Sequence, residues 1–598
     1  MGTVDIRNLF HEHRPLIDFY PQRDKCCGIP LHVQKTRTKA KVATLAIGDF
    51  IARETVLCCP NCGSIYTSGE LTKLIPARCD FGYDVLVYVG KSIFLEYRND
   101  KEIIRDLYTR NVTISSSGIA YLAKKFIIYL AIAHRASSAK LKENMARRGG
   151  YILHLDGTCE ADSPHLMSGL DGISEIVLDN IKLPSENGEQ IIPFLERIKK
   201  SFGNPLALVR DMGKGISKAI ESVFGEAVLD FICHFHFLRD IGKDLFCKEN
   251  DVIRKRLKHH GIQGLLRKKA LHFKKIIDTH TDLAGSLCKS LDEGKIEKEA
   301  FEQMPLVAVY TLIQWTLDGK NQGKGYGFPF DRPYLVFYQR LKTLYDHCEI
   351  LREINLRNQW RDNKPVFKTY NLLRQTINDT TLRRTALQMQ EKVAVFDKLR
   401  DAMRIAKPEQ NKGLNDNGDD VDIKAIEKGV EDFRNWLINE DCYGNKDYHK
   451  MIKQIDIYWK KLFADAITVN TSQGEVIIQP QRTNNLLERF FRDIKRGYRK
   501  KNGINSMTKT LKAMLADTPL VKNLENKEYL SVILDGKLNL EQRFSEIDAK
   551  IVREELKKSQ KDSEKIPPKI KKIIKNPKLP EIMTNLFVGQ DKLANPTV

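Results

Sequence analysis

Apolar residues in the middle of the chain form short continuous runs, and two of these runs end in an aspartate. YILHLD ends at Asp156, and LALVRD ends at Asp211. Runs of this length bounded by Gly and Asn predict buried strands. A carboxylate at the end of a buried strand is costly unless something pairs it, and a metal ion is a suitable partner. Side by side in one sheet, two such carboxylates repel each other unless divalent cations share the site, and Mg²⁺ is commonly held this way.

The segments around these two runs alternate between strand and helix patterns. The patterns predict a hairpin after the first acidic strand, then a helix, the second acidic strand, another helix and a further strand, AVLDFICHFH. Cys233 and His236 stand at the end of that strand, three positions apart. They could support an active site, or they could be core residues whose polar groups are hydrogen-bonded inside the protein. Arg239 and Lys243 follow on the next predicted helix, where they could contact phosphate.

A third acid lies far downstream in QRTNNLLERFFRDIKRGYRKKNG, at 481–503. Helical spacing places its large apolar residues on one face: Leu487, Phe490, Phe491, Ile494 and Tyr498. A second face carries one acid followed by three bases: Glu488, Arg492, Lys495 and Arg499. An acid at the head of a basic stripe suits a metal ligand beside a bound phosphate backbone.

The chain resembles the DDE transposases, because it carries in this order the two aspartates, the Cys-x-x-His pair and the acid within TNNLLER. The Cys-x-x-His pair is similar to that of the Mutator-like group and its bacterial insertion-sequence relatives, and the resemblance covers roughly 151–503. It implies a ribonuclease-H-like catalytic domain in which Asp156, Asp211 and Glu488 hold two Mg²⁺ (or Mn²⁺) ions, while the Cys-x-x-His pair supports the site. The implied activity is cleavage at the ends of a mobile element and strand transfer into target DNA. Asn484 and Asn485 would orient Glu488 or contact the DNA backbone, with helix capping as the alternative.

Pattern and resemblance together predict a multidomain α/β protein. A ribonuclease-H-like mixed sheet would carry a large all-α insertion, because the second and third acids are far apart in the chain. The expected divisions are a zinc-ribbon-like β module at 1–100, a helix-turn-helix-like region and linker at 101–148, the first catalytic part at 149–247, the all-α insertion at 248–470, the second catalytic part at 471–550 and a basic tail at 551–598.

Clustered cysteines near the start of the chain indicate one structural zinc ion. Cys59-x-x-Cys62 with a following glycine resembles a zinc knuckle, and zinc takes four tetrahedral ligands. For the second pair Cys26 or Cys27 is the first choice, with Cys79 as the competitor. The alternative is a set of unpaired thiols in a β-rich domain.

Two further segments are candidates for DNA contact. Ser and Thr precede an apolar periodic run near Ser116, which predicts the second helix of a helix-turn-helix, although an ordinary helical hairpin is equally consistent. That recognition helix would present Ser117, Tyr121, Lys124 and Lys125. In the insertion, Trp315 opens a Gly-rich loop where it could stack on a DNA base, or serve as a structural aromatic.

The net charge of +21 and the pI of about 9.2 imply an anionic partner, for which double-stranded DNA is the default. We expect the partners to be the terminal inverted repeats and the target DNA, bound by a homodimer or larger assembly because strand transfer joins two ends. No apolar run reaches the roughly 18 residues of a membrane span, and no secretory signal opens the chain. Twelve cysteines in this length suggest an intracellular protein, on DNA in the bacterial nucleoid or cytoplasm or in a nucleus. Two other functions stay open: a transposase-derived DNA-binding protein without catalysis, and a ribonuclease-H-like nuclease without strand transfer.

Overall fold

The computed structural model describes residues 14–280, 282–298, 300–321, 323, 325–359, 364–405, 423–439, 445–561, 570, 573–574 and 576–594. Across these ranges the protein is a multidomain α/β structure with several sheets and two large hydrophobic cores.

The N-terminal module contains six strands: β1 (Leu16–Phe19), β2 (Lys25–Cys26), β3 (Ile29–Pro30), β4 (His32–Thr44), β5 (Gly48–Cys58) and β6 (Ile65–Tyr66). The long strands β4 and β5 pair antiparallel, β1 runs parallel to β5, and β2 and β3 form a separate small hairpin. A small core under this sheet includes Phe19, Val42 and Phe50. The described β-rich part ends at Tyr66, well before the predicted boundary at residue 100, because the following apolar residues recur at helical rather than strand spacing.

Five helices link this module to the central sheet: α1 (Gly69–Leu74), α2 (Tyr83–Phe94), α3 (Asp100–Thr109), α4 (Ser116–Ala136) and α5 (Ser138–Arg147). The predicted start of α4 is confirmed, since the Ser115 side chain caps it by accepting a hydrogen bond from the Gly118 N–H. Helix α4 is the one described helix whose length and composition would suit a membrane span. Its most apolar window is 67% buried inside the protein, as expected of a core helix.

The central sheet follows the predicted succession of strands and helices: β7 (Ile152–Thr158), β8 (His165–Asp171), β9 (Val177–Leu183), α6 (Gly188–Phe202), β10 (Ala207–Arg210), α7 (Lys214–Phe224) and β11 (Leu229–Ile232). Its five strands lie in the order β11-β10-β7-β8-β9. The pairs β7–β8 and β8–β9 are antiparallel, whereas β10 runs parallel to both β7 and β11. The two predicted acidic strands, β7 and β10, are therefore direct neighbours.

The insertion has nine helices among the described residues: α8 (His234–His259), α9 (Ile262–Ile277), α10 (Leu283–Glu293), α11 (Met304–Asp318), α12 (Pro333–Asn358), α13 (Lys364–Ile377), α14 (Thr380–Ala402), α15 (Ile423–Asn439) and α16 (Lys446–Leu462). Eight of them share one hydrophobic core, and α10 packs on α11 in a small separate cluster. Helix α8 leaves the end of β11 and carries the chain into the insertion, with a kink at Phe246. A hairpin of β12 (Ile467–Thr471) and β13 (Gly474–Ile478) leads the chain back to the sheet.

The remaining helices are α17 (Asn485–Asn502), α18 (Thr508–Ala513), α19 (Lys527–Leu534), α20 (Leu540–Ser545), α21 (Ala549–Lys561) and α22 (Leu579–Ala594), with a 3₁₀ segment at Thr518–Glu525. The predicted apolar face of α17 joins the main core, together with side chains from α2, α4, the central sheet and α21. Because these segments share one core, the expected boundaries at 148 and 550 separate no independent hydrophobic cores.

Candidate metal-dependent active site

The first two acids lie on neighbouring strands, although β7 continues two residues beyond Asp156 to Thr158, whereas Asp211 directly follows the end of β10. Strand β10 runs parallel to β7 with Arg210 opposite Leu155, and Asp211 and Asp156 each follow directly in the chain. Adjacent strands are about 4.8 Å apart, which brings the two side chains close together. Sequence reasoning predicted this neighbourhood from the two apolar runs, and the register of the sheet supplies it.

The Asp156 carboxyl group is in an unfavourable environment for a charge. The residue is only 9% exposed, and the hydrogen bond that its Oδ1 accepts comes from the N–H of Gly157, at 2.7 Å. Burial raises the pKa of Asp156 well above its usual range, and the negative charges of Asp211, Glu488 and Glu186 raise it further. All three predicted acids therefore interact electrostatically at this position, despite their separation in the chain.

A buried ion pair holds the end of β10. The Arg210 guanidinium donates to both carboxylate oxygens of Asp230, at 2.8 and 2.6 Å, and to the backbone carbonyl of Asp211 at 2.8 Å. Lys461 donates to Asp230 at 2.7 Å. With the Asp211 backbone held in this way, its Oδ1 is buried and has no hydrogen-bond partner among the described residues.

Asn484 connects the third acid's helix to the strand of the first acid. Its amide Nδ2 donates to the carbonyl of Leu155 at 2.7 Å, and its Oδ1 lies 2.9 Å from Nδ1 of His154, which donates because an amide oxygen only accepts. Its backbone N–H donates to Sγ of Cys233 at 3.2 Å. Asn484 is fully buried and stands directly before α17, whose first turn carries Glu488.

The sequence pointed to Asn484 and Asn485 together as supports of Glu488. Of the two, Asn484 makes the contacts just described, whereas Asn485 occupies the first position of α17 and is half-buried. Helical spacing identifies the pair at the start of the helix but does not tell which side chain turns back to the sheet.

Cys233 lies in the core behind the acids. The residue is 1% exposed, and its backbone N–H donates to the carbonyl of Arg210 at 2.7 Å. Its Sγ accepts a hydrogen bond from the backbone N–H of Asn484 at 3.2 Å. Cys233 therefore links the end of β10 to the start of α17, in line with the predicted supporting role.

His236 is next to the carboxylates. Its Nε2 is 3.5 Å from Oε1 of Glu488. Burial lowers the pKa of His236 to about 4, the Asp211 carboxylate opposes that shift, and Arg239 and Lys243 add to it. His236 is therefore neutral at neutral pH, beside both the second and the third acid.

The predicted basic residues lie on the two helices that carry His236 and Glu488. On α8 Arg239 is half-buried and Lys243 is exposed, and both are close enough to influence His236. On α17 Lys495 and Arg499 are close enough to lower the pKa of Glu160, although the largest contribution there is the N–H of Met507. The fifth predicted base on these two helices, Arg492, is exposed on α17.

The assignment of Lys125 to a DNA-reading helix is wrong, because α4 is a core helix. Lys125 is 2% exposed, and its ammonium lies 3.4 Å from the carbonyl of Ala77, so it cannot reach a DNA backbone. The neighbouring Lys124 donates to the carbonyl of Ser559 on α21 at 3.3 Å. Two of the proposed reading residues are thus engaged within the protein.

Trp315 lies near the end of α11 with the guanidinium of Arg340 over its ring, 4.4 Å from the ring centre. Its side chain stays 38% exposed. The structure thus gives Trp315 an internal stacking partner, in line with the structural alternative for this residue. Stacking on DNA stays a prediction.

Four cysteines of the N-terminal module form a candidate zinc site. The Sγ atoms of Cys26, Cys27, Cys59 and Cys62 all lie within 4.8 Å of one another. Cys27 has a left-handed conformation in the turn between β2 and β3, which lets two adjacent cysteines face the cluster. Cys79 is buried in the main core instead. The open choice for the second pair is thereby resolved in favour of both Cys26 and Cys27.

The thiols of this cluster suit a zinc ion. Hydrogen bonding to Ser64 is the largest of the effects that lower the pKa of Cys62 to about 6, which favours the thiolate form that zinc binds. Four sulfur ligands match the tetrahedral structural sites of zinc-ribbon modules. The cluster could therefore hold one structural Zn²⁺.

Comparison with known proteins assigns this chain to no family. No protein-family model matches it, and no curated protein matches its sequence.

Proposed function

We propose that this protein is a DDE-type DNA transposase, which cuts at the ends of a mobile element and joins them to target DNA. One observation carries the proposal: the charges of Asp211 and Glu488 act on the buried carboxyl group of Asp156, although the three acids come from β7, the end of the parallel neighbour β10 and the first turn of α17. The mixed order of the central sheet, with three antiparallel strands followed by two parallel ones, supports the expectation of a ribonuclease-H-like catalytic domain.

The chemistry of the donor set suits divalent magnesium or manganese, and an ion would have to draw the three carboxylates together, because among the described residues they do not all lie within 4.8 Å of one another as the four cysteine sulfurs do. Hard cations prefer carboxylate oxygens. Among the described residues neither Asp156 nor Asp211 forms an ion pair with a lysine or arginine, and Asp211 Oδ1 lacks any partner. When bound, two such ions would supply stabilisation of the entering and leaving oxygens during displacement at phosphorus.

In the proposed cleavage step, water attacks the phosphorus of an end phosphodiester and the bond to the 3′ oxygen breaks. The leaving 3′ oxygen takes up one proton of the water and becomes a 3′-hydroxyl, and the water oxygen stays on phosphorus as part of the new 5′-phosphate. In strand transfer that 3′ oxygen forms a bond to a target phosphorus while the bond from this phosphorus to a target 3′ oxygen breaks. The leaving target oxygen takes up the hydroxyl proton, so no protein nucleophile is needed. Neutral His236 contacts Glu488 and helps to fix the position of its carboxylate. The phosphate backbone is attracted by the basic side chains of Arg239, Lys243, Lys495 and Arg499.

Outside the catalytic centre, the net charge of +21 and the four-cysteine cluster support a DNA-bound protein. The N-terminal module is proposed to recognise the terminal inverted repeats. A homodimer or larger assembly follows from the chemistry, because two ends must be joined to one target.

The decisive experiment is cleavage of labelled DNA taken from the two ends of the element, with Mg²⁺ or Mn²⁺. Wild type would be compared with Asp211→Asn and Glu488→Gln, and with Glu143→Gln as a control for an exposed acid on α5. We expect nicking to fall by about a thousandfold or more in the first two variants, since each loses a charged metal ligand, with DNA affinity kept. The control should cut normally.

Other results would redirect the assignment. Full activity in Glu488→Gln would remove it from the set of metal ligands. Tight DNA binding by wild type without cutting, under both metals, would favour a transposase-derived binding protein. Cutting without any joined product would favour a nuclease.

A further inference from the structure

One helix of the insertion carries an exposed basic face that the proposed chemistry does not use. Helix α9 has five bases and no acid in its sequence, IQGLLRKKALHFKKII. Its buried residues join the hydrophobic core of the insertion: Ile262, Leu266, Ala270 and Phe273. The opposite side of the helix therefore faces solvent.

Four of the five bases lie together on that solvent-facing side. The exposed residues Arg267, Lys268, Lys274 and Lys275 fall within about 120° of the helix circumference, because successive residues are about 100° apart. Lys268 and Lys275 are two turns apart, which is about 10.5 Å along the helix axis. A DNA duplex carries one phosphate per about 3.4 Å of its axis on each strand, so this length of helix spans several phosphates.

These four bases have no acidic partner among the described residues. Other bases of the insertion are neutralised by acids on neighbouring helices or turns. Lys392 lies 2.8 Å from a carboxylate oxygen of Glu249, and Arg434 lies 2.7 Å from one of Asp456. The charge of the α9 face is thus left for a ligand outside this part of the chain.

A second helix without acids lies next to α9. Of the nine described helices of the insertion, α9 and α13 alone contain no acid, and they pack against each other. Helix α13 adds the exposed bases Lys364, Lys368 and Arg374. Burial lowers the pKa of Lys269 on α9, and the charge of Lys368 lowers it further. Bases of the two helices therefore repel one another, and a bound polyanion would relieve that repulsion.

The buried side of α9 indicates which class of polyanion fits. A helix that binds a lipid surface buries its apolar residues in the membrane. The apolar residues of α9 instead pack on α11 inside the protein, so the exposed side offers mainly charge. Leu271 is 64% exposed among the bases, and a single exposed leucine is ordinary on a protein surface. A nucleic-acid backbone fits this face better than a membrane does.

Helix α8 sets the distance between this face and the acids. It runs from His236, which contacts Glu488, to Lys258, shortly before α9 begins. At 1.5 Å per residue this path is about 33 Å long, and the kink at Phe246 shortens the direct distance. One turn of B-DNA is about 34–36 Å long. A duplex that starts at the acids is therefore long enough to reach the start of α9 after about one turn.

We propose that the α9 face formed by Arg267, Lys268, Lys274 and Lys275 binds the phosphate backbone of double-stranded DNA, about one helical turn from the cleavage site. The inference rests on the proposed function, because it takes the DNA held at the acids as the ligand. Backbone contacts of this kind position a duplex and carry no sequence information.

The test compares two double variants of the full-length protein. Lys268→Gln combined with Lys275→Gln removes two charges from the face. The matched control combines Lys428→Gln with Lys453→Gln, which removes two exposed lysines from α15 and α16, helices that also carry acids. Binding is measured in EDTA by fluorescence anisotropy over a range of salt concentrations, with end DNA and with a scrambled duplex, each of about 30 base pairs.

We expect the α9 variant to bind both duplexes about tenfold more weakly than wild type. The slope of log affinity against log salt should fall by about two, because each phosphate contact contributes about 0.9. The control should behave as wild type, and all three proteins should melt at the same temperature because the substituted side chains are exposed. In Mn²⁺, the α9 variant should raise the KM for cleavage of end DNA longer than about ten base pairs, and this effect should be absent with shorter DNA.

Equal affinity and equal salt slope in the α9 variant and wild type would overturn the inference and leave the transposase proposal standing. A loss confined to one DNA sequence, or a loss no larger than that of the control, would also contradict backbone binding by this face. Weaker binding to vesicles of anionic phospholipid, with duplex binding unchanged, would assign the face to a membrane instead. If wild type cut no DNA under any metal while the α9 variant still lost affinity, the proposed function would fail and the duplex-binding face would stand.

Discussion

Replacing Asp156 by asparagine should stabilise the metal-free protein. The side chain is 9% exposed, and burial together with neighbouring acids raises its pKa well above the usual range. The folded protein thus holds this proton to higher pH than the unfolded chain does. The stabilisation from the raised pKa is complete at pH values below the pKa of Asp156 in the unfolded chain. It is lost as the pH rises through the pKa of Asp156 in the folded protein. Asparagine carries no charge at any pH and avoids that loss.

The distance between neighbouring strands gives the size of the repulsion between the Asp156 and Asp211 carboxylates. With neighbouring strands about 4.8 Å apart, two ionised carboxylates at about 5 Å repel by about 3 kcal/mol at an effective dielectric constant of 20. A change of that size corresponds to roughly 5–10 °C in the melting temperature of a core of this kind. Bound cations would replace the repulsion by attraction in wild type.

The assay is differential scanning fluorimetry in EDTA and in MgCl₂, at pH 5 and pH 8. In EDTA the melting temperature of Asp156→Asn should exceed that of wild type, and the difference should be larger at pH 8. Added Mg²⁺ should raise the melting temperature of wild type and have much less effect on the variant. The reasoning would be refuted if the variant melted lower in EDTA, or if Mg²⁺ stabilised both proteins equally.

Three further predictions concern other buried groups. Asp230→Asn should lower the free energy of unfolding by about 3–5 kcal/mol, because it leaves the Arg210 guanidinium buried without its ion pair. Urea denaturation measures this free energy, and a variant as stable as wild type or more stable would contradict the prediction. Cys59→Ser should remove one equivalent of zinc by elemental analysis while Cys79→Ser keeps it, and equal zinc content in both would contradict the four-cysteine site. His134 is buried, and burial lowers its pKa to about 4, so the stability it contributes should decline as pH falls from 6.5 towards 4. The urea midpoint of His134→Gln should depend less on pH over that interval than the midpoint of wild type does. The same pH dependence in both proteins would contradict the assignment of His134 as a buried neutral histidine.

The sequence by itself determined the local elements and the identity of the chemical groups. The two acidic strands, the helix with Glu488 in its first turn, the all-helical character of the described insertion and the Cys-x-x-Cys turn all follow from short-range periodicity and spacing. The apolar face of α17 was predicted from its spacing because burial on a helix depends on residues three and four positions apart. These features depend on near neighbours in the chain, and one sequence is enough to predict them.

The tertiary structure decided which of those groups meet. Asn484 turns back to β7, Lys125 is buried in the core, and Cys79 lies apart from the other cysteines. Each outcome depends on a contact between segments far apart in the chain, and periodicity predicts a buried face but not its partner. The physical reason is that a hydrophobic pattern specifies how much surface leaves water, whereas the identity of the neighbours follows from how whole elements pack.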